Sequence, residues 1–240
     1  MMEKREMIYE GKAKQIFSTD QDDQVIVHFK DDATAFDGQK KGQIAEKGKI
    51  NNKISNFFFK LLEEKGIKTH LIEELNERDS LVKKVEIIPL EVVMRNVAAG
   101  SLAKRIGMEE GIPLQQPVIE FYYKDDNLGD PLINVSHIEL LGLAGREELE
   151  RLIALGHKIN DILVKFLKER NVDLVDFKLE FGKTAAGEII LADEITPDTC
   201  RFWDSETKEK LDKDRFRRDL GDVEEAYHEM YKRITGQDWK

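Results

Sequence analysis

The sequence predicts an α+β fold, with an antiparallel sheet and helices segregated from it. Three observations point there. The first third carries short β-patterned runs separated by turn residues. Two segments, 44–64 and 145–170, switch to helical spacing of their apolar residues. Residues 175–181 alternate, Val175, Phe177, Leu179 and Phe181 with Asp176, Lys178 and Glu180, and the chain then turns back as a hairpin over 172–195.

In chain order, Met7–Tyr9 and Gln15–Phe17 flank a turn at Glu10-Gly11, and Val25–Phe29 follows, giving an antiparallel meander. In 44–64, Ile50, Ile54, Phe57, Phe58, Leu61 and Leu62 fall on one helical face, closed by Gly66. Strand-like segments come next at Ile67–Ile72, Leu81–Ile88 and Leu90–Val97, with Pro89 as punctuation between the last two. A short helix is expected near Ser101–Met108, then a loop-rich stretch from Gly111 to about Asn134 with Pro113, Pro117 and Pro131. Leu149, Leu152, Ile153, Ile159, Ile162, Leu163, Phe166 and Leu167 form the stripe of the clearest helix, with Asn171 as its stop. A C-terminal helix is expected over about 212–234.

At 240 residues the chain makes one large domain or two small ones sharing a cleft. Its 40% hydrophobic content excludes a disordered chain. No apolar run reaches a membrane-spanning length, and the charged stretch Met1–Glu6 does not read as a signal peptide. Cys200 is the single cysteine, which excludes an intrachain disulfide, so a soluble cytoplasmic protein is expected. A net charge of −10 argues against bulk nucleic-acid binding but leaves room for a locally basic cleft. The five histidines stand far apart, in no zinc-like spacing.

Six segments carry candidate chemistry. In VDLVDFKLEF (172–181), Asp176, Lys178 and Glu180 share one strand face, and a hairpin returning at Glu188–Ala192 brings Asp193 beside them. Carboxylates converging with a lysine suit a Mg²⁺–nucleotide site, while the pattern alone equally fits a strand with a solvated polar face. Lys12 and Lys14, two apart on the strand expected just after the Glu10-Gly11 turn and so on one face, suit a polyphosphate or a solvated hairpin. In PLEVVMRNVAAGSLAKR (89–105), Arg95 precedes a helix start at Ser101, the makings of a phosphate-monoester site or of a plain N-cap with a salt bridge. In DEITPDTCRFWD (193–204), Arg201 is placed to reach the same cleft or to pair with Asp198 or Asp204, and Cys200 reads as packed. DDATAFDG (31–38) and YKDDNLGDP (123–131) read as polar loops, either closing over a site or simply solvated.

In this order and spacing, the segments EGKAKQIF, DDATAFDG, PLEVVMRNVAAGSLAKR, VDFKLEFG, ADEITPDTCRFWD and LDKDRFRRDLG resemble the SAICAR synthetase family across essentially the whole chain. The resemblance implies an ATP-grasp or kinase-like arrangement. A β-rich lobe, 1–85, would bind nucleotide, and a larger α+β lobe, 86–240, would bind substrate and metal, with ATP in the cleft between them. The implied reaction joins L-aspartate to the carboxylate of 5-amino-1-(5-phosphoribosyl)imidazole-4-carboxylate (CAIR), with ATP cleaved to ADP and phosphate. Carried onto this chain, Lys12 and Lys14 would bind ATP phosphates, Glu180 and Asp193 would hold Mg²⁺, and Lys83 and Val85 would lie against the adenine. Arg95, Ser101 and Arg201 would hold the CAIR phosphate. Asp176 and Lys178 would face the imidazole and its carboxylate, Asp37 and Asp130 would line the cleft, and Arg215 would reach it. Asp37 or Asp176 would accept the proton of the incoming amine. A homodimer is implied. A small-molecule kinase with the same Mg²⁺–ATP site is the alternative, distinguished by whether product needs an amine.

Overall fold

The computed structural model describes residues 2–35 and 39–239. Two antiparallel sheets meet near Lys84-Val85. The first comprises β1 (Met7–Glu10), β2 (Lys14–Ser18), β3 (Gln24–Phe29), β6 (Leu71–Glu74) and β7 (Asp79–Lys83), in the order β1-β2-β3-β7-β6. A separate two-stranded hairpin pairs β4 (Asp32–Ala35) with β5 (Lys40–Gln43). The second sheet holds β8 (Glu86–Val97), β9 (Pro113–Tyr123), β10 (Leu132–Ile133), β11 (Val172–Lys183) and β12 (Ile189–Ala192), in the order β10-β9-β8-β11-β12. β13 (Cys200–Asp204) pairs with the first half of β11. The sheets are stitched together at Thr69–His70, where the His70 N–H donates to the Leu191 carbonyl at 2.8 Å.

Helices lie on both faces of the second sheet, the two longest on one face and the one that carries Ser101 on the other. They are α1 (Lys47–Glu64), α2 (Gly100–Ile106), α3 (Val135–Leu141), α4 (Arg146–Lys168), α5 (Asp214–Arg217) and α6 (Val223–Thr235). The stripes of α1 and α4 do what their spacing predicts: Ile50, Ile54, Phe58 and Leu62 pack with Leu152, Ile159 and Leu163 into one core against Phe177, Leu179 and Phe181. β11 thus buries Phe177, Leu179 and Phe181 on the side of α1 and α4, which turns Asp176, Lys178 and Glu180 toward the opposite face, while Val175, at a bulge, packs with Ala99 and Trp203.

Several boundaries differ from the sequence reading, each for a local reason. Pro89 does not divide two strands; it lies inside β8, where the register slips against β11 between Glu180 and Gly182, so the bulge absorbs a residue with no N–H to give. The break falls at Lys84-Val85 instead. Most of 111–134 is strand rather than loop, because Pro113 and Pro117 sit where β9 has no partner on its outer edge. Asp32–Ala35 is a strand. Lys68–His70 lie before β6, which starts at Leu71. The C-terminal helix is two helices, split by left-handed backbone at Asp219, Gly221 and Asp222.

Candidate active site

A cavity of about 1470 Å³ opens between the β1–β2 turn, the β7–β8 connection and the polar face of β8 and β11. All six of the segments singled out in the sequence contribute to its wall. Its apolar end is formed by Ile16, Val25, Val27, Val82, Val85 and Ile87, and Lys83 lines it too. Gly182 permits this: a Cβ there would lie 2.4 Å from Val85 Cγ2. An apolar slot of this kind suits a flat heterocycle.

Deeper in, charge takes over. β11 and β12 pair Glu180 with Ala192, so Asp193 emerges next to Glu180 as the hairpin reading required. Lys178 Nζ stands 2.5 Å from Glu180 and 3.6 Å from Asp193. Lys14 reaches from β2 to Asp193 and, at 3.2 Å, to Glu194. Burial disfavours the charge on Asp193, yet Lys14 and Lys178 outweigh it and hold the carboxyl well below its usual range. Burial also opposes the Lys178 ammonium, and Glu180, Asp193 and Glu91 more than offset that. Glu194, by contrast, is pushed up by burial. Lys12 is not on the same strand as Lys14; it sits in the β1–β2 turn, half-exposed, and pairs with Asp126 at 2.8 Å.

At the other end, three strands place Arg95, Asp176 and Arg201 in one row, Arg95 opposite Asp176 and Asp176 opposite Arg201. Arg95 Nη1 donates to Asp176 at 2.7 Å and Nη2 to the Ser101 hydroxyl at 3.1 Å. Arg201 Nη1 donates to both Asp176 oxygens at 2.8–2.9 Å, and its Nε donates to Asp214 at 2.8 Å. Gly100, at φ 53°, clears the space: a Cβ there would meet Arg201 Nη2 at 2.7 Å. Asp212, buried beside Asp214, is pushed up to about 7 by burial and that neighbour.

Asp130 lines the cavity, and its carboxylate accepts the Asp125 N–H at 3.0 Å. Asp37 lies outside the described residues. Arg215 turns away from the cavity and donates to the Gly221 carbonyl at 2.7 Å; its neighbours Lys213 and Arg217 line the wall instead. Sequence reading missed those two, together with Lys124, which pairs with Glu180 at 2.7 Å, and Glu91, which pairs with Lys178 at 3.1 Å. The signal for Glu91 was present: it shares strand parity with Arg95. Lys124 was hidden in a segment that reads as a solvated loop.

The family model for SAICAR synthetase matches residues 7–234. The chain belongs to the SAICAR synthetase family. A phosphoribosylaminoimidazole-succinocarboxamide synthase of Brevibacillus brevis is 63% identical over 98% of both chains. Among solved structures, the synthase of Ehrlichia chaffeensis superposes with a TM-score of 0.95 at 50% identity, covering 98% of this chain and 100% of that one. A SAICAR synthetase in complex with ADP gives 0.94 at 52% identity, covering 97% and 99%. The SAICAR synthetase fold is therefore the fold of this chain, a mixed α+β fold with strand-rich sheets. No helix among the described residues is long and apolar enough to cross a membrane.

Proposed function

We propose that this chain ligates L-aspartate to the carboxylate of CAIR at the expense of ATP, giving SAICAR, ADP and phosphate in purine biosynthesis. The observation that carries the reading is the single polar face of β8 and β11, which presents two different anion sites to one cavity. Lysines and carboxylates stand at the nucleotide end and paired arginines with Ser101 at the other. A phosphoryl donor and a phosphorylated acceptor need two such sites a short distance apart.

In this reading the adenine rests in the apolar slot against Lys83 and Val85, and Lys12 and Lys14 take the ATP phosphates. Arg95, Ser101 and Arg201 hold the ribose phosphate of CAIR, which puts its imidazole carboxylate near Lys178. A carboxylate does not react with an amine unaided, because the leaving group would be oxide. The CAIR carboxylate oxygen therefore takes the γ-phosphoryl group of ATP, ADP leaves, and the aspartate amine displaces phosphate through a tetrahedral intermediate. Lys14, Lys178 and Lys124 spread the negative charge that gathers in the first step. Asp37 or Asp176 accepts the amine proton, and Asp130 lines the acceptor side.

No set of three or more metal-ligating side chains is arranged around one point among the described residues. Mg²⁺ does not require one: it takes one or two carboxylates and completes its shell with phosphate and water. Glu180 and Asp193, hard-oxygen donors that share Lys178, fit that demand. Bound there, Mg²⁺ would neutralise the phosphate oxygens. The residue ranges 1–85 and 86–240 act as nucleotide and substrate lobes, with each main sheet confined to one range. We place the protein in the cytoplasm as a homodimer.

The test is ADP release in a coupled assay with Mg²⁺–ATP and CAIR, with and without L-aspartate. ADP that forms only with both acceptors present supports the ligase. ADP formed equally without aspartate points to a kinase and overturns it.

A further inference from the structure

Arg95 is the most enclosed side chain of the proposed phosphate site, 3% exposed, and a guanidinium in that position must be aimed. Its Nη1 and Nη2 ends face the cavity, toward Asp176 and Ser101. Its Nε edge is held from behind by Glu120, whose Oε2 accepts from Nε at 2.7 Å; the Tyr122 hydroxyl, from a side chain that lines the cavity, lies 3.0 Å from Arg95 Nη2 and donates to the same Glu120 oxygen at 3.0 Å. The strand register dictates this. Glu120 faces Val93 and Tyr122 faces Glu91, so both share Arg95's side of the sheet. Glu120's second oxygen accepts from Arg105 of α2, the helix that carries Ser101. One buried carboxylate therefore ties together the strand and the helix that supply the phosphate donors.

We infer that Glu120, assisted by Tyr122, is a positioning residue that aims the Arg95 fork at the phosphate of the acceptor substrate. The inference rests on the proposed reading of Arg95 and Ser101 as the phosphate site. Glu120 lies behind the cavity wall and acts through Arg95, Arg105 and the Tyr122 hydroxyl. Without its charge, Arg95 keeps one carboxylate partner, Asp176, which Arg201 already grips. The guanidinium is then free to swing toward Asp176 and away from Ser101.

The experiment compares kcat/KM for CAIR with kcat/KM for its dephosphorylated nucleoside, in the wild-type enzyme and in Glu120→Gln. The ratio measures what the phosphate contributes. We expect Glu120→Gln to lower it by about tenfold, with the KM for ATP changed less than about twofold. Tyr122→Phe, which deletes one hydroxyl, is expected to lower it by about two- to threefold, and it carries the test if Glu120→Gln does not fold. An unchanged ratio in the folded variant, or an equal loss for both substrates with a matching rise in the KM for ATP, overturns the inference. A wild-type enzyme that does not favour the phosphorylated substrate removes the phosphate site itself, and the inference with it.

Discussion

Glu180 and Asp193 meet because β12 returns in a register that sets Ala192 against Glu180, leaving Asp193 one residue further on. Asp193 then adopts φ 60°, which bends its carboxylate toward Lys14 and Lys178. Asp tolerates that left-handed conformation better than most residues. If this pair holds the metal, Glu180→Gln and Asp193→Asn, which keep volume and lose charge, lower turnover by at least about a hundredfold. Circular dichroism should show the fold retained in both. Full activity in either folded variant would sink the metal assignment.

The two lysines of the EGKAK segment should behave differently, since only one is enclosed. Lys12 is half-exposed and pairs with an exposed Asp126, so Lys12→Ala should shift stability by no more than about 1 kcal/mol while raising the KM for ATP. Lys14 is enclosed between Asp193 and Glu194. Its removal takes the nearest cation from two buried carboxylates, a loss of about 3–5 kcal/mol by analogy with broken buried pairs. Urea unfolding of the two variants decides this; equal stability losses would contradict the placement.

The sequence made the architecture readable wherever period and burial agreed. The stripes of α1 and α4 and the alternation of β11 from Asp176 to Phe181 survive, because each buries one face against the same core, whereas Val175 leaves that face at a bulge. Reading failed where local signals were answered by tertiary context. Pro89 is absorbed by a bulge, and Pro113 and Pro117 lie on an open edge, so three strand breakers sit inside strands. Site residues were legible where strand parity placed them, as for Asp176, Lys178 and Glu180. Lys124, Lys213 and Arg217 come from segments brought to the cavity by long-range packing, which no short spacing encodes.

Gly100 and Gly107 offer a matched comparison on either side of α2. Both have positive φ, 53° and 68°, so an alanine at either position carries a backbone strain of about 1–2 kcal/mol. They differ in what a Cβ meets: Arg201 Nη2 at 2.7 Å at Gly100, and nothing within 4 Å at Gly107. Gly100→Ala should therefore raise the KM for CAIR severalfold, whereas Gly107→Ala should cost only stability. Thermal melting with steady-state kinetics on both variants checks it, and an equal kinetic effect would mean that Arg201 is not held by this contact.

His70 supplies the pH prediction. It is buried edge-on against Phe59 beneath Lys14, and burial first, then the Lys14 charge, push its pKa down to about 3 from 6.5. The folded state thus refuses a proton that the unfolded chain accepts between those values. The unfolded state binds more protons in that window, so stability is fully present above about pH 6.5 and is lost as pH falls toward 3. Asp212, pushed up to about 7, works in the opposite sense, since its folded form holds a proton that the unfolded chain releases. A wild-type profile alone therefore mixes the two. The difference between wild type and His70→Gln isolates the histidine: the gap in urea midpoint should narrow steadily as pH drops from 7 to 5. A gap independent of pH would mean that His70 accepts its proton inside the folded protein.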